Sequence, residues 1–172
     1  MTTESDILFH EKQQFRQWWI WLILVGLNAL FVASAIKQIG WGQQFGDKPM
    51  NNAELIGATV TIVLLTIFII SMRLETQIKP DGIYVRFFPF HFKYQHYSWG
   101  TLTKSYVRQY SPIAEYGGWG LRLGLFGKGK AYNVSGDKGL QLEFTTGQRL
   151  LIGTNNPEEL STVLISIGQL KP

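Results

Sequence analysis

The sequence predicts an α+β protein in two parts: a hairpin of two membrane-spanning helices, then an antiparallel β-sandwich or open barrel closed by a C-terminal helix. Three observations predict it. Two uncharged apolar runs lie within the first 72 residues. From residue 73 the apolar residues alternate with polar ones, and Gly- and Pro-containing turns separate the short runs. The last run returns to helical spacing.

The first run, Trp18 to Ile36, holds ten Leu, Ile, Val and Phe residues and no charge. At about −0.3 to −0.6 kcal/mol each, they outweigh one central amide, Asn28. The second, Leu55 to Met72, is also uncharged. Each is long enough for a helix to cross the hydrocarbon core. Buried helices of a soluble protein are the competing reading. A cleaved signal peptide is another, because Ala33-Ser34-Ala35 has the small-residue spacing of a cleavage site. Against it, Glu4, Asp6 and Glu11 offset Lys12 and Arg16, and Trp18, Trp19 and Trp21 match an interfacial anchor. Ala29 and Ala33 on the first run, and Gly57 and Thr61 on the second, are spaced for close helix approach. Asn28, Thr61 and Thr66 lie at comparable depth and are the candidate interhelical polar contact.

Charge sets the expected orientation. Residues 1–72 carry four Lys/Arg against five Asp/Glu, and residues 73–172 carry twelve against seven. Positive charge beyond the second span predicts a cytoplasmic C-terminal part and an N-terminus on the same side. The expected organisation is a flank at 1–17, spans at 18–36 and 55–72, an extracytoplasmic loop at 37–54, and a β domain at 73–172. Only 16% of the 172 residues are charged, against about a quarter in soluble domains. There is no cysteine, which excludes disulfides, thiolate metal sites and a cysteine nucleophile. The cations are scattered, so nucleic acid is not an expected partner.

In the β part, Leu74, Thr76 and Ile78 share a face, and Lys79-Pro80-Asp81-Gly82 turns the chain into Ile83, Val85 and Phe87. Alternation resumes at 92–97, and a strand is expected over Thr103–Tyr110. Trp119, Leu121, Leu123 and Leu125 are expected on one core face. Leu140, Leu142 and Phe144 come next, then Arg149 to Gly153. Asn156, Pro157 and Glu159 read as the N-cap, first position and capping-box partner of a last helix, with Leu160, Val163, Leu164 and Ile167 as its apolar stripe.

"GGWGLRLGLFGKGKAYNVSGDKGLQLEFTTGQRLLIGTNNPEEL" resembles the second half of bacterial pleckstrin-homology-like (PH-like) domains in small two-span membrane proteins. "KPDGIYVRFFPF" and "YSWGTLTKSYVRQY" resemble their first half, so the likeness covers about residues 10–170. It implies a membrane-anchored cytoplasmic PH-like domain with no established enzymatic activity and a largely undefined biochemical role. Together with the charge pattern, the expected location is the bacterial inner membrane, multi-pass, with both termini cytoplasmic. It does not carry over a phosphoinositide site, because Lys79-Pro80-Asp81-Gly82 is too short to cradle a headgroup.

The chemical motifs fail on context. "GLFGKGKA", Gly124 to Ala131, has the G-x-x-x-x-G-K spacing of a phosphate loop but Ala where Ser or Thr belongs. The residues after it, "AYNVSG", alternate as a strand and then turn, where a phosphate loop would open a helix. His91 and His96 fall on opposite faces of a regular strand, so no metal site is expected. No cofactor and no catalytic residue is assigned.

The remaining candidates are surfaces. Arg122, Lys128, Lys130 and Lys138 form a candidate electrostatic contact patch for anionic lipid headgroups or an acidic protein. Phe87, Phe88, Phe90, Phe92, Tyr94, Tyr97, Trp99, Tyr106 and Tyr110 crowd the first half of the β part, and Tyr84 and Phe88 alternate onto the face opposite the core. The expected function is a membrane-anchored adaptor or assembly module, with the bilayer, a protein segment or a second copy as partner. The alternatives are an anionic-lipid sensor and an enzyme whose site the sequence does not display.

Overall fold

A computed structural model describes residues 6–44, 46, 48–124 and 127–172, which form two compact units. One is Arg16–Ser71; the other joins Met72–Pro172 to the segment that ends at Phe15.

The first unit is a pair of helices, α1 (Trp18–Ala35) and α2 (Asn52–Ser71). Both are long and apolar enough to cross a membrane. A π-helical turn, Ile36–Gly40, extends α1. α2 starts three residues before the expected span because Asn51 and Glu54 cap it reciprocally. The Glu54 backbone N–H donates to Asn51 Oδ1 at 2.9 Å, and the Asn51 N–H donates to Glu54 Oε2 at 3.2 Å.

The second unit contains two sheets. Strands β1 (Phe9–Gln14), β2 (Arg73–Lys79), β3 (Gly82–Phe88) and β4 (Gln95–Ser98) succeed each other across one, all antiparallel. The other has the order β5-β8-β9-β7-β6, from β5 (Leu102–Gln109), β6 (Gly120–Leu123), β7 (Lys130–Asn133), β8 (Lys138–Phe144) and β9 (Arg149–Gly153). Its β7–β9 pair is parallel, so the wholly antiparallel expectation is corrected there. The short helix α3 (Pro112–Tyr116) comes after β5, and α4 (Pro157–Ser166) after β9.

Leu74, Ile78, Ile83, Val85 and Phe87 of the first sheet meet Tyr132, Leu140, Leu142 and Ile152 of the second, and Leu160 and Leu164 of α4 complete this core. β1 is a strand that the alternation pattern does not predict. Only Phe9 on its inner face is apolar; Glu11 and Gln13 are the other two inward residues, and both are buried. They are tied to the other sheet and the chain after it: Thr154 Oγ1 donates to Glu11 Oε2 at 2.6 Å, the Asn155 N–H to Glu11 Oε1 at 2.8 Å, and Gln13 Nε2 to the Gly153 carbonyl at 2.7 Å, while Gln13 Oε1 is buried without a hydrogen bond. An alternating apolar pattern cannot reveal a strand that is held by polar groups.

Three further expectations change. The segment before β4 is a loop, since pairing with β3 begins at Gln95. β6 does not bury its leucine face: Leu121 is 37% and Leu123 72% exposed, Arg122 between them is exposed as well, and Gly120 is the buried residue of the strand; Leu125 lies outside the described residues. At α4, Pro157 takes the first position, but the Asn156 side chain makes no cap hydrogen bond. The Asn156 N–H instead donates to Thr154 Oγ1 at 3.1 Å.

Candidate functional site: a basic, aromatic cleft beside an edge strand

Among the described strands β4 pairs with β3 alone and is one edge of its sheet, opposite β1; β6 and β5 are the edges of the other. A cleft of about 570 Å³ opens between β4, the β6–β7 hairpin and the β8–β9 turn. Gln95 and Tyr97, two residues apart on β4, form one wall, and Tyr132, Phe144 and Leu150 supply apolar surface. Gly124, Gly127, Gly129 and Gly147 leave backbone on the opposite side. The charged residues among the described lining are Lys130 and Arg149, both positive. The Arg149 Nε is 3.7 Å from Glu143 Oε1, and its side chain is half exposed. The Tyr97 ring packs on Phe144 with centroids 5.5 Å apart, and burial, with the neighbouring Tyr132 hydroxyl, pushes its phenol pKa up. The edge strand therefore presents neutral groups to two cations.

Local chain chemistry shapes the hairpin. A Cβ on Gly129 would stand 2.2 Å from the Arg149 carbonyl oxygen, and its φ of +86° is left-handed. A Cβ on Gly124 would meet the Gly129 carbonyl oxygen at 2.8 Å and the Tyr116 ring at 2.9 Å. The glycines of "GLFGKGKA" thus let β6 and β9 approach the hairpin, and Lys130 opens strand β7. A phosphate loop would open a helix there.

Behind the hairpin, α3 is capped at both ends. Ser111 Oγ accepts from the Ala114 N–H at 3.3 Å, Glu115 Oε1 accepts from the Ser111 N–H at 2.9 Å, and Gly117 closes the helix at φ +69°. Arg108 grips Glu115 through two hydrogen bonds, 3.1 and 2.8 Å, and holds that carboxyl below its ordinary pKa. Ser111 followed by Pro112 is a readable start signal, although Glu115 lies four residues after Ser111, one beyond the capping-box position.

The structure divides the four patch cations. Lys130 pairs with Leu150, which faces Leu142 on β8. Lys138 is two strands across from Lys130 and four residues further along β8, an offset of about 13 Å along the strand alone. It shares a shallow cleft with Glu158 and Glu159 at the start of α4. Arg122 is paired with Ala131, so it leaves the face opposite to that of Lys130, and its Nε donates to the Trp119 carbonyl at 2.9 Å. Lys128 Nζ lies 3.9 Å from Glu115 Oε2. Only Lys130 lines the main cleft, and Arg149, which the patch omitted, joins it. Their nearness depends on the parallel β7–β9 pairing, which turn spacing does not signal.

In the helical unit, Asn28 Nδ2 donates to Thr66 Oγ1 at 2.8 Å and to the Leu24 carbonyl at 2.8 Å. Thr61 takes no part; its hydroxyl donates to the Gly57 carbonyl of its own helix at 2.8 Å.

A second polar group lies on the outer face of the first sheet. Glu75 accepts hydrogen bonds from Tyr94 at 2.6 Å and from Arg86, and its Oε1 forms an ion pair with Arg73 Nε at 2.9 Å. Burial opposes ionisation of Glu75, but the Tyr94 and Arg86 hydrogen bonds outweigh it and lower its pKa. Burial, then the Glu75 carboxylate, pushes Tyr94 up to about 12. His91, in the loop before β4, has its pKa lowered by burial and by Lys130. Among the described residues, no three His, Asp or Glu side chains converge as metal ligands. The chain matches no protein-family model, and no curated protein is similar to it.

Proposed function

We propose that this is a membrane-anchored interaction module, in which α1 and α2 cross the bilayer and the β unit is a PH-like domain that docks an extended, acidic protein segment along β4. The cleft beside β4 carries this reading. An incoming strand would satisfy the open edge of the sheet, and Lys130 and Arg149 would receive its carboxylates. Its volume falls within the range of ligand sites.

The order of elements supports the PH-like reading. Four strands in a meander, a second meander of β5, β8 and β9, and a closing helix keep the expected order, with α3 and the β6–β7 hairpin inserted after β5. The anchoring is supported by α1 and α2 themselves and by β1, which precedes α1 and pairs with β2, the strand after α2. A chain that leaves one sheet and returns to it crosses a membrane an even number of times, so both ends lie on one side. The positive charge beyond residue 72 supports a cytoplasmic side, as at a bacterial inner membrane. The divided cations favour protein docking over a lipid sensor built on Lys128, Lys130 and Lys138.

A photo-crosslinking residue at Gln95, in the full chain in membranes, tests this reading. It should give one discrete product that disappears when Lys130→Glu and Arg149→Glu are combined. The same probe at Lys104, exposed on β5, should give none. Equal products from both positions, or no product from Gln95, would remove the docking role.

A further inference from the structure

Gln14 of β1, Arg73 of β2 and Phe88 of β3 form one row across the first sheet. The row is at the end where the chain leaves for the helices. Gln14 is four residues before Trp18, and Arg73 is two after Ser71. Extended chain reaches about 3.6 Å per residue, so these links span at most about 14 and 7 Å. With α1 and α2 in a bilayer, this end of the sheet is held close to its surface.

The loop between β3 and β4, residues 89–94, starts from that row. Phe92 packs edge-on against Phe88, ring centroids 5.7 Å apart, and is still 75% exposed. Phe90 packs against Phe87 at 5.8 Å and is 51% exposed. The exposed cation Lys93 lies between Phe92 and Tyr94, and the Arg73 guanidinium lies over the Phe88 ring at 4.8 Å. Water gives no reason to hold two large phenylalanines outward at a loop tip. A bilayer interface does, because aromatic rings settle at headgroup depth and a neighbouring lysine reaches the phosphates. Two rings on one short loop are also too small a patch for a standard protein interface.

We propose that residues 89–94 form a membrane-contacting foot. Phe92, with Phe90, enters the boundary between headgroups and acyl chains, and Lys93 meets lipid phosphate. The foot fixes the orientation of the β unit to which the helices only tether it, and so presents the β4 edge in one attitude. The inference rests on the reading that α1 and α2 span the bilayer.

The absence of cysteine makes the test direct. Single spin labels are placed at Phe92→Cys, at Leu64→Cys on the exposed face of α2, and at Lys104→Cys on β5. The full chain is reconstituted in vesicles of phosphatidylcholine and phosphatidylglycerol, and each label is scored for collision with oxygen, enriched in lipid, against a water-soluble nickel chelate. The label at 64 should favour oxygen strongly, that at 92 should also favour oxygen, and that at 104 should favour nickel. A lipid-exposed label at 64 with a nickel-accessible label at 92 would overturn the foot and leave the spans intact. A nickel-accessible label at 64 would overturn the spans, and the foot with them.

Discussion

The two units put the same kinds of side chain in opposite places. In the β unit, Leu74, Ile78, Phe87 and Leu142 have no exposed surface. In the helical unit, Leu22, Val25, Leu64 and Ile67 are all more than half exposed, and Leu24 and Leu55 are its buried apolar side chains. The polar groups reverse as well. Glu75, Arg73 and Arg86 pair side chain to side chain on an outer face, whereas Ser34, Thr59, Thr61 and Thr66 return their hydroxyls to a carbonyl of their own helix. Each unit hides what its surroundings penalise. Water penalises exposed hydrocarbon; the bilayer proposed for the helices would penalise unpaired hydrogen-bonding groups.

That contrast breaks most readily at Phe87. Phe87→Ala should destabilise the β unit by about 4 kcal/mol, through lost burial and the cavity left between the sheets. Leu64→Ala should change stability by no more than about 0.5 kcal/mol, because its neighbours are solvent rather than a packed core. Thermal unfolding of the full chain in mild detergent, read out by protease susceptibility, compares them. Equal losses would place Leu64 in a protein core and end the distinction between the units.

The same contrast explains what was legible in the sequence. α1 and α2 stand out because continuous apolar composition is itself the signal, and the inward faces of β2, β3 and β8 because alternation is. β1 was hidden, since two of its three inward residues are Glu11 and Gln13, whose partners are about 140 positions away in sequence. The cleft was half legible. Lys130 was selected for being a cation in a glycine hairpin, but Arg149 and Tyr97 join it only through the parallel β7–β9 pair and the packing of the sheets. The Asn28–Thr66 bond agrees with depth along each run, whereas Thr61, at a similar depth, bonds its own helix.

The outer network should respond next most strongly. Glu75→Gln removes the carboxylate that holds Arg73, Arg86 and Tyr94, and should cost about 2 kcal/mol, the scale of hydrogen bonds to a charged group. The folded-state pKa of Glu75 lies below its ordinary 4.5. Its contribution is therefore present above about pH 4.5 and lost as pH falls through the depressed folded value. The gap between wild type and Glu75→Gln should be full at neutral pH and close in acid, where the protonated carboxyl resembles the amide. A gap unchanged between pH 7 and pH 3 would mean that the carboxylate charge contributes nothing.

The smallest effect belongs to the helix pair, and it is the sharpest test of the second half of the contrast. Asn28 donates to Thr66, but Thr66 also satisfies itself through the Ile62 carbonyl at 2.8 Å, and Asn28 through Leu24. Each residue keeps a backbone partner if the other is removed. Interhelical bonds of this kind contribute about 0.6 kcal/mol, so Asn28→Val and Thr66→Val should each cost roughly that in a denaturing-detergent titration of the full chain. The double variant should cost little more than either alone, because both remove the same bond. Thr61→Val, which touches only its own helix, should cost less than either and add to them independently. Full additivity between positions 28 and 66 would show that the pair is held by apolar packing alone, with the amide as a passenger.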